Sequence, residues 1–220
     1  MGSAPDRTER LNLSSDGVGC RLLFTTNAYP REERHDAWRF ALQRFSIMLR
    51  QADDAALYGE LVHSRSGQRI DFIRLTATAQ KYSLDLSERP GACWLAVLLG
   101  GQATVEHGTE NVALADSDMV CARSEAIAHF SFPGDHSLLL VIIPPAILDP
   151  RLKTPLPATP HRIGAESTAA RVMSSMLRAL SDTLIDTAAD QLAPIELALP
   201  EFLLATLLDN APTRALGGGG

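Results

Sequence analysis

The sequence has 220 residues, of which 45% are hydrophobic, and a formal net charge of -6 from 20 basic and 26 acidic residues. The length suits one large domain or a domain with an appendage, and the hydrophobic fraction is sufficient for a buried core. A chain that binds nucleic acid through its phosphates needs a concentrated basic surface, whereas these basic residues are scattered among acidic ones. The composition therefore argues against DNA binding by this chain alone.

The N-terminal part predicts a disordered terminus, a strand and a helix. Residues 1–17 are polar and charged, which is typical of a frayed chain end. The segment from Arg21 to Thr26 favours a short strand. Over residues 30–45, apolar side chains recur at helical spacing, which predicts a helix with one buried face. That face consists of Trp38, Leu42 and Phe45.

From Ser46 onward, short apolar runs alternate with turn residues such as Asp53-Asp54 and Pro133-Gly134. Many short strands at fairly regular spacing predict a β-sandwich or barrel rather than alternating strands and helices. The runs are Ile47–Leu49, Leu57–Val62, Ile70–Leu75, Tyr82–Leu86, Trp94–Leu99, Ala103–Val105, Val112–Leu114, Met119–Ala122, Ala128–Phe132 and Leu138–Ile143.

The stretch from Trp94 to Asp118 predicts a hairpin around which the rest of the barrel is organised. A two-residue turn at Gly108-Thr109 fixes the register, because apolar residues on one face must then oppose apolar residues. The expected pairs are His107 with Glu110, Val105 with Val112, and Ala103 with Leu114. Gly100-Gly101 upstream would permit the bulge or bend that curls a sheet.

The chain changes character after Ile143. Six prolines within residues 144–160 predict a linker that is neither helix nor central strand. The segments 164–185 and 192–208 then show helical periodicity, and we expect the two helices to pack antiparallel, with Pro200 kinking or restarting the second. Residues 211–220 end in four glycines and resemble a linker.

Cysteine usage and hydropathy suggest a cytoplasmic protein. Cys20, Cys93 and Cys121 are far apart and form no C-x-x-C pair, which argues against a disulfide framework and a zinc site. The start of the sequence lacks the apolar core of a secretory signal. The longest apolar run, Leu138–Ile143, is too short to span a membrane.

Catalytic signatures do not stand out, and we expect neither an enzyme nor a bound cofactor. No H-x-H pair stands on one strand, and the predicted neighbours His107 and Glu110 suggest a salt bridge rather than a metal site. The sequence also has no G-x-S-x-G nucleophile motif and no glycine-rich phosphate loop followed by a helix and lysine.

A ligand pocket inside the barrel is the better candidate site. Arg74 would clamp a carboxylate and Trp94 would stack on a ring, and the hairpin residues Val105 and His107 complete the predicted effector site. The alternative is that Arg74 caps the edge of the barrel and that Trp94 belongs to the core.

The first C-terminal helix carries an apolar stripe with two possible partners, the second helix or another surface. Two helices beyond a linker cannot bury all their apolar surface against each other, so the barrel or a second copy of the chain must cover the remainder. We favour the second copy and predict a dimer interface. Its residues are Met173, Met176, Leu177, Leu180 and Leu184.

Six short segments, in this order, resemble motifs of the N-terminal effector-binding and dimerisation region of AraC/XylS-type transcription regulators, especially the FeaR-like branch. They are Glu33–Trp38 (E-R-x-x-x-W), Leu57–Leu61 (F-x-G-x-L), Phe72–Arg74 (V-x-R), Val97–Gln102 followed by Val105–Gly108 (similar to the L-x-x-G-x-x-x-V-x-Q-x-G hairpin), Ala115–Met119 (a G-D turn) and Leu138–Pro144. His107 replaces the usual Gln, and Ser117 replaces the Gly before Asp118.

The resemblance implies an α+β, mainly antiparallel fold: a cupin-like jelly-roll barrel with an N-terminal helix and a C-terminal antiparallel helix pair. The barrel would occupy residues 18–160 and bind a small-molecule effector, while residues 161–210 would form a homodimer. Regulators of this type continue into a basic helix-turn-helix module, and this sequence stops in glycines before it.

Three hypotheses follow. The first is a non-enzymatic effector-sensing and dimerisation domain of a transcription regulator. The second is a cupin-type metalloenzyme, which stoichiometric iron, manganese or zinc in the purified protein would favour. The third is a stand-alone protein that pairs with full-length regulators through the same helices.

Overall fold

The computed structural model describes residues 12–14, 21–53, 56–152, 156, 159–164 and 167–209. Most of the predicted disordered terminus, Cys20 and the predicted linker at 211–220 lie outside these ranges. Asn12–Ser14 is a strand that pairs with Arg21–Thr25, so the prediction of disorder over residues 1–17 is wrong for these three residues.

Thirteen strands and four α-helices make up the described part of the chain. The strands are β1 Asn12–Ser14, β2 Arg21–Thr25, β3 Ile47–Ala52, β4 Gly59–Arg65, β5 Asp71–Ala77, β6 Gln80–Leu84, β7 Cys93–Gly100, β8 Ala103–His107, β9 Glu110–Leu114, β10 Met119–Arg123, β11 Ala128–Phe132, β12 His136–Ile143 and β13 His161–Ile163. The helices are α1 Arg34–Gln43, α2 Pro145–Leu148, α3 Thr168–Thr183 and α4 Ala193–Asp209. None of them is long and apolar enough to cross a membrane.

The strands form two antiparallel sheets that face each other. The larger sheet has the order β1-β2-β4-β5-β12-β7-β10-β13, and the smaller has the order β3-β6-β11-β8-β9. Non-consecutive neighbours such as β5-β12 and β6-β11 are the crossovers of a jelly roll. The predicted α+β, mainly antiparallel class is confirmed, and each predicted apolar run falls in or beside a strand.

The predicted hairpin is confirmed residue by residue. Ala103 pairs with Leu114, Val105 with Val112 and His107 with Glu110. Just upstream, the chain passes from the larger sheet to the smaller one at Gly101, whose φ is +94°. A Cβ there would lie 2.6 Å from the carbonyl oxygen of Asp135, so glycine is required at this corner.

Helix α1 covers part of the core between the two sheets, as its predicted apolar face requires. Trp38 and Leu42 are fully buried in that core. A Cβ on Gly59 would lie 2.6 Å from the Trp38 ring, so the indole packs directly on the backbone of β4. The indole N–H donates to Gln80 Oε1 over 2.7 Å, so the polar atom of this buried side chain has a hydrogen-bond partner.

Helices α3 and α4 pack on the outer face of the larger sheet and give the fold a third layer. A second core joins both helices to outward-facing side chains such as Val97 and Leu139. Met173, Leu177 and Leu184 have no exposed surface. Since Leu180 is also buried and Met176 half-buried, the prediction that this stripe forms the dimer interface is wrong: the chain's own sheet covers it.

The proline-rich segment is less irregular than predicted. Pro145 begins the short helix α2, where its missing N–H costs nothing, and a 3₁₀ turn Asp149–Arg151 follows. His161–Ile163, assigned to the helical region by the sequence, pairs with β10 as an edge strand. Helix α4 continues through Pro200 instead of restarting there.

Candidate functional site

Three of the four predicted effector-site residues meet between the sheets. Trp94, on β7, lies with its ring centroid 6.0 Å from that of His107 and 5.7 Å from that of Phe130. Val105, on β8 beside His107, is fully buried. These side chains pack on one another, so this part of the interior is an aromatic core rather than an open cup.

His107 brings a polar atom into this core. Its Nε2 is buried and has no hydrogen-bond partner among the described residues. Burial lowers the pKa of His107, although a hydrogen bond that the ring donates to the backbone of Ala126 opposes this shift. The neutral ring therefore offers one unused donor or acceptor toward the interior.

A polar network continues along the same interior. Tyr82 Oη donates to Gln80 Oε1 over 2.7 Å and lies 3.4 Å from His136 Nε2. The His136 ring stacks on Phe132 with centroids 3.7 Å apart, and its Nδ1 lies 3.3 Å from the carbonyl oxygen of Gly134. Burial lowers the pKa of His136 to about 4, so the fold holds this ring in its neutral form.

We expect this burial to make the protein less stable in weak acid. Below pH 6.5 the unfolded chain binds a proton at His136, whereas the folded chain does not until about pH 4. The free energy of unfolding should therefore fall by about 2–3 kcal/mol as the pH falls through this window. Urea unfolding of the wild type and of His136→Gln between pH 7 and pH 4 measures this fall in the free energy of unfolding. A variant with the full wild-type slope would contradict the assignment to His136.

Arg74 lies outside the barrel, so its predicted role in an interior pocket is wrong. It projects from β5 toward the helices, where Nη1 donates to the carbonyl oxygen of Ser181 over 2.9 Å. Its Nη2 forms an ion pair with Glu60 at 3.0 Å. The alternative that Arg74 caps the barrel edge does not hold either, because β5 is a central strand.

A charged cluster at one end of the barrel was not predicted. Asp71, which opens β5, is buried, and its Oδ1 lies 2.8 Å from His63 Nε2. Arg65 donates to both carboxylate oxygens, over 2.7 and 3.1 Å, and Arg89 donates to Oδ2 over 2.7 Å. Burial would raise the pKa of Asp71, but the hydrogen bonds from His63 and Arg65 outweigh it and hold that pKa well below its ordinary value.

One pair in this cluster, Arg65 and Asp71, could have been predicted from the sequence. Arg65 and Asp71 flank a short loop, and in the β4-β5 hairpin they are directly opposite each other. Opposite charges at opposed positions are a cross-strand pair that hairpin pairing would have revealed. Arg89 comes from the β6-β7 connection, and no local pattern places it beside Asp71.

The histidines engage separate partners rather than a common centre. His63 contacts Asp71, and His129 Nδ1 lies 2.8 Å from Ser83 Oγ on a neighbouring strand. Among the described residues, no group of three or more His, Cys, Asp or Glu side chains is placed to hold a metal ion. The donor sets that iron and zinc require are therefore not assembled by these residues.

Cys93 and Cys121 are buried thiols on adjacent strands beneath the C-terminal helices. Burial raises the pKa of Cys121 to about 12 and raises that of Cys93 as well. Both therefore pack as small hydrophobic groups.

No protein-family model and no curated protein matches the sequence. The structure, however, is similar to that of an AraC-like transcriptional activator, CuxR, with a TM-score of 0.70 at 13% identity over 86% of this chain and 70% of that one. At this identity the likeness shows the fold alone: the barrel with its C-terminal helices is an architecture that an AraC-like activator also has.

Several other solved structures match less than half of this chain, and two of them serve as examples. A predicted oxalate decarboxylase from Thermotoga maritima has a TM-score of 0.32 at 17% identity, over 39% of this chain and 80% of that one. A cupin superfamily protein from Desulfitobacterium hafniense has a TM-score of 0.33 at 15% identity, over 43% of this chain and 84% of that one. TM-scores this low do not support an inference about function.

Proposed function

We propose that this chain, whose fold is similar to that of an AraC-like transcriptional activator over 86% of its length, is the effector-sensing and dimerisation domain of a bacterial regulator of that type. It acts without catalysis. The similarity of barrel and helices together is the observation that carries the proposal, and the order of the sequence motifs supports it independently.

Polar contacts between barrel and helices support a sensing role. Arg178, on α3, donates to the carbonyl oxygen of Leu99 over 3.2 Å and forms an ion pair with Asp116 at 3.0 Å. It also reaches Ser117 Oγ at 3.2 Å, on the turn before β10. An effector with different affinities for two arrangements of these contacts would shift how the helices present a following DNA-binding module.

Dimerisation needs a surface other than the buried stripe. The outer faces of the helices expose large apolar side chains: Val172 on α3 at 44% and Leu197 on α4 at 61%, with Ile185 just beyond α3 at 40%. We propose that a second copy of the chain packs on this face. The proposal retains the predicted homodimer and moves its interface to the opposite side of the helices.

A reporter assay tests the proposed function. The chain is fused at its C-terminus to a DNA-binding module that represses its promoter only as a dimer. We expect the wild-type fusion to repress, Leu197→Glu to lose repression, and Gln43→Glu, which adds the same charge at an exposed position of α1, to retain it. Equal repression by Leu197→Glu would reject this interface, and a well-expressed wild-type fusion that does not repress would reject the dimerisation role.

A further inference from the structure

A cleft of about 300 Å³ opens beside the charged cluster at the end of the barrel. Its lining combines Arg65, Arg69 and Arg89 with apolar residues, among them Ile142 and Pro144. The lining contains three arginines and one buried carboxylate, Asp71, so the cleft carries an excess of positive charge. A partly enclosed surface with these properties attracts anions.

Two of the arginines are held in place before any ligand arrives. Arg65 donates to Asp71 through Nε and Nη2, and Arg89 donates to the same carboxylate through Nη1. A guanidinium carries five N–H donors in a fixed plane, so the single bond from Arg89 to Asp71 orients that group and uses only one of its donors. A buried carboxylate that fixes two arginines at the rim of a cleft preorganises donors for an incoming oxyanion.

The backbone at Arg69 indicates that this residue is present for its side chain. Its φ is +67°, in the left-handed region that favours glycine. The turn is closed by hydrogen bonds from Arg69 N to Ser66 O and from Ile70 N to Ser66 Oγ, both 3.0 Å. Glycine would adopt this turn with less strain, so the turn itself does not call for arginine.

We infer that this cleft binds a small organic anion, a carboxylate or phosphate monoester, whose charged end meets the three arginines and whose apolar part packs on Ile142 and Pro144. The inference rests on the proposed function only in identifying this anion as the effector. It also moves the effector site from the aromatic core of the barrel to its end.

The same turn connects the cleft to helix α4. Gln68 N donates to Glu196 Oε1 over 2.7 Å, and Glu196 is a buried residue in the first turn of α4. Gln68 lies directly before Arg69 and three residues after Arg65. An anion bound by Arg69 therefore contacts the turn whose backbone holds the start of α4, the last helix of the described chain.

Calorimetric titration of the full chain with phenyl phosphate and benzoate tests the inference, with benzyl alcohol as the uncharged control. We expect one of the anions to bind, more weakly as salt rises, and benzyl alcohol not to bind. Arg69→Gly should weaken binding at least about tenfold because a charged hydrogen-bond donor is lost, while the melting temperature is unchanged or higher because backbone strain is relieved.

Two variants serve as matched controls. Ser46 is another non-glycine residue with positive φ, at +62°, so Ser46→Gly relieves similar strain without removing a charge. Arg44→Gln removes an exposed charge far from Arg69 in sequence, on the C-cap of α1. Both should bind like the wild type. No binding of either anion, or equal weakening by Arg44→Gln and Arg69→Gly, would overturn the site. Anion binding by a chain that fails the reporter assay would reject the proposed function and leave the site standing.

Discussion

Replacing Leu177 with glutamate is expected to unfold the protein. Leu177 has no exposed surface and lies in the core between α3 and the larger sheet. A carboxylate without a partner in such a core costs more than about 4 kcal/mol, which approaches the whole stability of a domain at the lower end of the usual range of about 5–15 kcal/mol. Circular dichroism during urea titration measures the loss.

Gln43→Glu is the matched control, because it places the same charge at an exposed position of α1, away from the proposed dimer interface. This change should alter the free energy of unfolding by no more than about 0.5 kcal/mol. If Leu177→Glu instead unfolded at the wild-type urea concentration, the stripe would not be buried within the chain, and the original interface prediction would regain its basis.

Asp71→Asn is expected to lower the free energy of unfolding by about 3–4 kcal/mol at neutral pH. The change leaves Arg65, Arg89 and His63 around an uncharged amide, and removing one partner of a buried ion pair costs about 3–5 kcal/mol. We place the loss in the lower part of that range because the side chains of Arg65 and Arg89 are 39% and 32% exposed, so water recovers part of it.

Acid provides an independent check on Asp71. Since the fold holds its pKa below the ordinary value of 3.8, the stability it contributes is complete above about pH 4 and is lost as the pH falls toward the folded-state pKa. The variant should lack this part of the acid response. Asp116→Asn, which breaks an ion pair whose carboxylate is 60% exposed, should cost less than about 1 kcal/mol at neutral pH. Similar losses in both variants would contradict the structural role of Asp71.

The sequence predicted features that depend on a single buried face. The register of Ala103–Leu114 followed from a two-residue turn and one apolar side, and α1 followed from the spacing of Trp38 and Leu42. Both were correct because one face of each element is exposed to water, so the alternation records which side is buried.

The larger sheet is buried on both faces, and there the pattern does not say which face a side chain occupies. This is why Arg74, within the run Ile70–Leu75, was placed inside the barrel although it faces the helices. The continuous apolar run Leu138–Ile143 was the available signal, because a strand that is apolar at every position has both faces covered. That run also indicates that the outer face of the larger sheet covers the apolar stripe of α3.

Ser117 shows how a departure from a family pattern fits the fold. The resemblance places glycine there, and Ser117 has a φ of +71°, which glycine adopts without strain. Its N–H donates to the carbonyl oxygen of Leu98 over 2.8 Å, and its hydroxyl accepts from Arg178. Contacts with β7 and α3 thus hold a conformation that serine disfavours on its own.

The proposed function requires that two copies of the chain associate, and sedimentation equilibrium of the unmodified protein measures this most directly. We predict a mass of twice the 23.7 kDa of one chain, falling to that of one chain for the folded variant Leu197→Glu. A single-chain mass for the wild type at every concentration would contradict the proposed sensing and dimerisation domain.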